Sequence, residues 1–323
     1  MDMISFGTVF LELVFGPLER LPGPGEEVFT NEFAISCGGA VTSASAASAA
    51  GASAGLATVL GDDVGSQLVT EHCAMTHIDL TPSLRVERPA AGISVVLNFD
   101  GDRGFVTHVP PAAAGEQAEI DRWRSVLRRD RPRWCYLHAG RGVQPLLSEA
   151  RELGCKIMLD TSLGADGERE AVIECAGLAD VFVPNADELL VLTGAASLVE
   201  AVTVAVGWDT DLVVTCGAAG ALVATTDGMV TEVPEGVGQV EVKDRTGAGD
   251  SFAGAMIAAL IGGASLTEAA VAGNRAGSAA VARLGAVGEV GASLAGLGRP
   301  LAAEVAALTS AARRRSDQGE QER

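Results

Sequence analysis

The stretch Asp244-Arg245-Thr246-Gly247-Ala248-Gly249-Asp250 runs directly into Ser251-Phe252-Ala253-Gly254-Ala255-Met256-Ile257 and decides how the chain reads. Two glycines and an alanine leave bare backbone amides beside open space. The apolar run after them has helical character, so those amides sit at a helix start, where N–H groups lack partners of their own. Such a loop holds phosphate or a developing negative charge, and Asp250 aims a carboxylate at the same spot. Asp is also a favoured N-cap, but capping alone does not call for three small residues ahead of it. An anion cradle with a base inside it points to phosphoryl transfer.

Working outward, the second half of the chain alternates. Trp134 to His138 reads as a strand, Gln144 to Glu152 as a helix, and Lys156 to Asp160 as a strand. Val181 to Pro184 and Leu212 to Thr215 are further strands, and Ala186 to Leu192, Ser251 to Ile261 and Leu266 to Leu284 further helices. Alternation of this kind predicts a parallel sheet covered by helices, with ligands outside the carboxyl ends of the strands. The first third differs. Ile4 to Val14, Val28 to Ile35, Gly55 to Leu60, Ala91 to Phe99 and Gly104 to Val109 read as extended, the last two joined by a hairpin turn at Asp100-Gly101-Asp102. Gly38-Gly39 opens an Ala/Ser-rich helix. So many extended pieces cannot all join a helix-covered sheet, so residues 10–35 and 85–110 are expected to form a lid.

A chain of 323 residues with 48% hydrophobic residues buries a sizeable core, built from Ala, Val and Leu because aromatics are only 4%. The net charge of −19 argues against nucleic acid or an anionic membrane as partner. Six cysteines without a C-x-x-C pair and four histidines without ligand spacing indicate neither a disulfide framework nor a zinc site, and a cytoplasmic location is expected. The uncharged run from Phe33 to Gly61 is too rich in Ala, Ser, Gly and Thr to insert into a membrane. One kinase domain over 1–310 is expected, with 311–323 a disordered tail.

Thr246-Gly247-Ala248-Gly249-Asp250 resembles the signature of the ribokinase-like (PfkB) family of carbohydrate and nucleoside kinases. The resemblance implies a three-layer α/β/α sandwich with a mostly parallel central sheet and a small β-sheet lid. It implies ATP-dependent phosphorylation of a hydroxyl on a small sugar-like substrate. Asp250 is then the base, and Gly247, Ala248 and Gly249 supply the amides. Thr215 and Gly217, in Val213-Val214-Thr215-Cys216-Gly217, match the family's nucleotide-phosphate segment. Asn185 and Glu188 match its Asn-x-x-Glu motif, which organises Mg²⁺ through water; the same pair also reads as a capping box. Asn274 falls near the adenine, or serves helix packing. Asp244 and Thr246 are implied as ligands of a monovalent cation such as K⁺, completed by backbone oxygens around 280–286. A homodimer through the lid is the partner that the family suggests.

The acceptor side departs from the pattern. Gly38-Gly39 resembles the family's sugar-binding diglycine, but Ser43 stands where Asn is usual and Glu12 where ribokinases carry Asp. Glu12 reads either as a substrate contact or as an exposed lid residue, and His138 as a residue of the substrate cleft. Competing readings are a nucleoside kinase of the same family, a non-catalytic sugar-sensing relative, and a Rossmann dehydrogenase. The last lacks its G-x-G-x-x-G after an early strand.

Overall fold

Strands covered on both faces read as short unbroken apolar runs, and the main sheet is made of them. The computed structural model describes residues 1–99, 102–110, 117–161, 168–236 and 240–290. In chain order the strands and helices begin with β1 (Met3–Phe6), β2 (Val9–Leu18), β3 (Glu32–Gly39), α1 (Ala40–Ala49), β4 (Ala54–Ala57), β5 (Val59–Leu60) and α2 (Val64–Met75). Next come β6 (Leu84–Arg85), β7 (Gly92–Phe99), β8 (Asp102–His108), α3 (Gln117–Asp130), β9 (Trp134–His138), α4 (Gln144–Glu152) and β10 (Lys156–Asp160). Then follow α5 (Arg169–Ala176), β11 (Val181–Phe182), α6 (Ala186–Thr193), α7 (Leu198–Ala205) and β12 (Asp211–Thr215). The series ends with β13 (Ala221–Ala224), β14 (Val230–Val233), α8 (Ala248–Ile261) and α9 (Leu266–Val281).

Within the compact unit Met1–Glu289 the main sheet has eight strands in the order β14-β13-β12-β11-β10-β9-β1-β4. From β4 to β12 the pairs are parallel, and β13 and β14 add an antiparallel edge. One face buries Ile4, Ile157, Leu159, Leu212 and Val214 against α3 to α7 through Ile120, Leu147, Val172, Leu189 and Ala201. The other face packs on α1, α8 and α9. The chain leaves β1 toward β4 on one side and later fills β9 to β12 on the other, so strand order reverses between β1 and β9. Open parallel sheets bind ligands at that reversal, beyond the carboxyl ends.

A second sheet, β3-β2-β7-β8, collects the early extended segments. Its register puts Glu12, Ser36, Ser94 and Thr107 side by side on one face and Leu13, Ile35, Val95 and Val106 on the other. The Ile4–Val14 strand is in fact two strands in different sheets, broken at Gly7-Thr8. The strand expected from Val28 begins at Glu32 and runs through the diglycine, because Phe10 and Val9 pair with Gly38 and Gly39. Thr58 likewise splits the Gly55–Leu60 strand, and its second half pairs with β6. Helix α9 stops at Val281, short of Leu284, where the chain turns to meet β2 and the glycine loop. The Asp100-Gly101 turn and the 311–323 tail lie outside the described residues. No single helix among the described residues is long and apolar enough to cross a membrane.

Helices α1 and α8 approach through small residues. A methyl group on Gly254 would overlap the Ser43 carbonyl and lie 2.9 Å from the Ala46 side chain. On the other flank Gly273 of α9 accepts the Phe252 ring face, where an added carbon would lie 2.8 Å from it. Gly254→Ala should therefore lower stability by about 1–3 kcal/mol, a cost typical of overpacking. Gly207→Ala, with no atom within 4 Å of the added carbon, is the control. Urea midpoints of the two variants measure the difference, and equal midpoints contradict the packing argument.

Candidate active site

Gly247 is the N-cap of α8 and has φ 73°, a left-handed backbone that favours glycine. Its missing side chain also matters, since a Cβ would lie 2.6 Å from that of Ala286. The loop before it is tied down by Asp244, which is buried. Asp244 Oδ1 accepts the Thr246 amide at 2.9 Å and its hydroxyl at 2.7 Å, and Oδ2 accepts the Gly285 amide at 2.8 Å. Among the described residues the amides of Gly247, Gly249 and Asp250 find no protein acceptor, and Gly249 is exposed. Of the four amides expected to form the cradle, that of Ala248 is instead turned back to the Arg245 carbonyl at 3.3 Å, and the other three stand beside Asp250 without a protein acceptor among these residues.

At the carboxyl ends of β9 and β10 stand His138 and Asp160, adjacent in register. Asp250 Oδ1 lies 3.3 Å from His138 Nε2 and 2.8 Å from the Tyr136 hydroxyl, which is also 2.8 Å from Asp160 Oδ2. Desolvation lowers the His138 value, but the hydrogen bond to Asp250 and the charges of Asp160 and Asp250 outweigh it and bring it up to about 9. His138 is therefore a cation near neutral pH. Burial first, then the charge of Asp250, pushes Asp160 up to about 6. His138, Asp160 and Asp250 bring one donor atom each within 4.8 Å of one another, a spacing that suits an ion. One oxygen of each carboxylate is already taken by the phenol, so the residues present form a hydrogen-bonded cluster.

Glu12 faces this space from β2. It is 5% exposed, so it is not an exposed lid residue, and its Oε2 accepts the Ala286 amide at 3.3 Å. Burial, aided by the charges of Asp244 and Asp250, raises it to about 7. A side chain on Gly38 would overlap the Glu12 carboxylate, so the first glycine of the pair makes room for Glu12. Gly39, at φ 75°, turns the chain into α1, and a Cβ there would overlap the Thr8 carbonyl. Ser43 does not join this group. It is fully buried, with its hydroxyl 2.9 Å from that of Ser5 and 3.2 Å from the Ala40 carbonyl, because small-residue packing draws α1 onto the sheet.

The remaining residues cluster beyond β11 and β12. Asn185 and Glu188 make both bonds of a capping box, at 2.9 and 2.8 Å. Burial also lifts Glu188 to about 7, with the charge of Asp160 adding to it, so the capping residue faces the acidic cluster as well. Thr215 bridges to Asn185 in parallel fashion. Gly217 is exposed at φ 56°, with open space where a side chain would stand. Asn274 is buried and donates to the Val233 and Pro234 carbonyls at 3.4 and 2.8 Å, tying α9 to the segment after β14. Two polar residues escaped the sequence reading, Tyr136 and Asp160. Asp160 closes the buried run of β10 and Tyr136 stands two residues before the end of β9, polar atoms in largely apolar strands, which is the signal that could have found them.

With this geometry in place, comparison with known proteins is decisive. Residues 3–290 match the model of the pfkB family carbohydrate kinases. The chain belongs to that family. It is an ATP-dependent phosphotransferase of the sugar and nucleoside kinase class. Aminoimidazole riboside kinase of Salmonella typhimurium is 29% identical over 73% of this chain and 79% of its own length. Cytidine kinase of Thermococcus kodakarensis is 26% identical over 83% and 91%. A putative ribokinase II of E. coli, solved with ATP and Mg²⁺, superposes with a TM-score of 0.74 at 20% identity over 88% of this chain and 94% of that one.

A carboxyl raised by burial favours the folded pfkB kinase most where it is protonated in both states. The contribution of Glu12 is complete below its ordinary 4.5 and is lost as pH rises through about 7. Glu12→Gln should therefore gain ~3 kcal/mol relative to the native protein between the acid and the alkaline side of that window. Urea denaturation of both proteins across the window measures it, and parallel stability curves contradict it.

Proposed function

We propose that this chain transfers the γ-phosphoryl group of ATP to a hydroxyl of a small sugar or sugar-like acceptor, with Asp250 as the base. The observation that carries the reading is the Asp250 carboxylate, anchored through Oδ1 beside unpaired amides at the mouth of α8. ATP supplies the phosphoryl group, and Mg²⁺ neutralises charge on its oxygens. The amides of Gly247, Gly249 and Asp250 face the charge that develops on the transferred group, the kind of interaction that dominates phosphoryl transfer. Asp250 accepts the proton of the attacking hydroxyl. Thr215 and Gly217 would hold the nucleotide phosphates, Asn185 and Glu188 would hold Mg²⁺ through water, and Asn274 would shape the adenine side through the backbone it holds. The buried charge of Asp244 favours a monovalent cation beside Thr246 and the backbone around 280–286.

Glu12, His138 and the diglycine form the acceptor side, and the small sheet acts as a lid that excludes water. A nucleoside acceptor is the second reading. Phe105 lies half-exposed on the Glu12 face of the small sheet, in register with Val96, where it offers a ring to a base. The curated relatives named above fit that reading too. A panel of D-ribose, sugar acids, polyols, cytidine and aminoimidazole riboside, assayed for ADP release with Mg²⁺ and with or without K⁺, separates the two. Asp250→Asn should lower turnover about 10²–10⁴-fold while ATP affinity changes little. Near-native turnover in that variant contradicts the base assignment, and ADP release with no member of the panel contradicts the acceptor class.

The outer face of the small sheet is apolar, with Phe33, Ile93 and Val106 exposed and Phe15 packed against Phe33 at a tilt, 5.0 Å between ring centroids. Such a face suits a second copy of the chain. Light scattering should give twice the chain mass for the native protein and the single mass for Val106→Asp. A native monomer contradicts the pairing.

A further inference from the structure

Tyr136 and Asp160 have no part in the chemistry proposed above, yet Tyr136 touches its central group and Asp160 reaches that group through the Tyr136 hydroxyl. Tyr136 is the only tyrosine of the chain and is fully buried. Its hydroxyl lies 2.8 Å from Asp160 Oδ2 and 2.8 Å from Asp250 Oδ1. A phenol carries one proton and donates to one acceptor. The second contact is a hydrogen bond only if one carboxyl brings a proton of its own. Loss of the phenol proton is no alternative, because burial and the two carboxylates hold Tyr136 well above its ordinary range.

Asp160 is the carboxyl placed to carry that proton. It is buried, and its Oδ1 accepts the Thr161 amide at 2.7 Å, which leaves Oδ2 as the protonated oxygen facing the phenol. Asp250 stands at the third position of α8, where a carboxylate commonly turns back to cap its own helix. Here Oδ1 is drawn instead to β9, by Tyr136 and by His138. Among the described residues its Oδ2 has no protein partner.

We propose that Tyr136 and Asp160 are positioning residues, forming a directed chain from the Asp160 carboxyl through the Tyr136 hydroxyl to Asp250 Oδ1 that turns Asp250 Oδ2 toward the acceptor hydroxyl. The consequence for catalysis rests on the reading of Asp250 as base; the chain itself does not. The charged groups around it are His138 on β9, Asp250 on α8 and Glu188 on α6. As pH rises through about 6, Asp160 loses its proton, and the single phenol proton is then contested by two carboxylates.

The lone tyrosine makes the test direct. With carbon-13 at its Cζ, the full chain gives one phenol resonance. That resonance should titrate with an inflection near pH 6 in the native protein. In Asp160→Asn the inflection should vanish, since the amide donates to the phenol as the protonated acid does. A native resonance flat across that pH, or the same inflection in the Asn variant, overturns the chain. Turnover is read with D-ribose, cytidine or aminoimidazole riboside, whichever is phosphorylated fastest. Tyr136→Phe should lower kcat about tenfold or more with KM for ATP within about twofold, as expected when a reacting group is misplaced. Asp160→Ala should fall as far, and Asp160→Asn should recover to within about threefold of native. Undiminished kcat in Tyr136→Phe overturns the positioning role, as does loss of kcat in step with KM and melting temperature. Native turnover in Asp250→Asn would instead defeat the base reading, leaving the resonance result intact.

Discussion

The close contact between α1 and α8 fixes everything downstream of it. Gly254 brings the backbone of α8 against the Ser43 carbonyl, and Gly273 lets α9 sit on the Phe252 ring. Neither approach tolerates a larger side chain. Together they place the start of α8 above the reversal between β1 and β9, where the ends of several strands converge. The glycine loop therefore meets His138 and Asp160 without either being near it in sequence. Packing of small residues is what assembles the polar site.

That site has an electrostatic problem and a visible answer. The chain carries a net charge of −19, and Glu12, Asp160, Glu188 and Asp250 gather around the site proposed for a polyanionic nucleotide and its acceptor. Burial raises Glu12 and Glu188 to about 7 and Asp160 to about 6, so protons remain on the cluster near neutrality. His138, raised to about 9, adds a positive charge. Backbone amides at the mouth of α8 add attraction that carries no ionisable group. A negative protein thus presents a locally tempered surface to phosphate.

The parallel strands, the helices between them and the glycine loop were legible because each rests on local sequence: apolar runs with the right length, and glycine where the backbone demands it. Gly247 could be read because its conformation and its amides leave a mark in composition. Ser43 could not, since whether a hydroxyl faces a cleft or the core depends on how α1 packs. Tyr136 and Asp160 escaped for the opposite reason. Each looks like an ordinary strand residue until β9 and β10 lie side by side and α8 closes over them. The diglycine was legible as a close approach, but only pairing with β2 shows that the group approaching Gly38 is the chain's own Glu12.

The central claim is that the free amides of Gly247, Gly249 and Asp250 hold the phosphoryl group in transit. Hydrogen–deuterium exchange of a peptide spanning that loop, with and without ATP and Mg²⁺, tests it most directly. Nucleotide should slow exchange at those amides while the core of α8, already bonded, stays unchanged. Nucleotide that binds without slowing them would contradict the account.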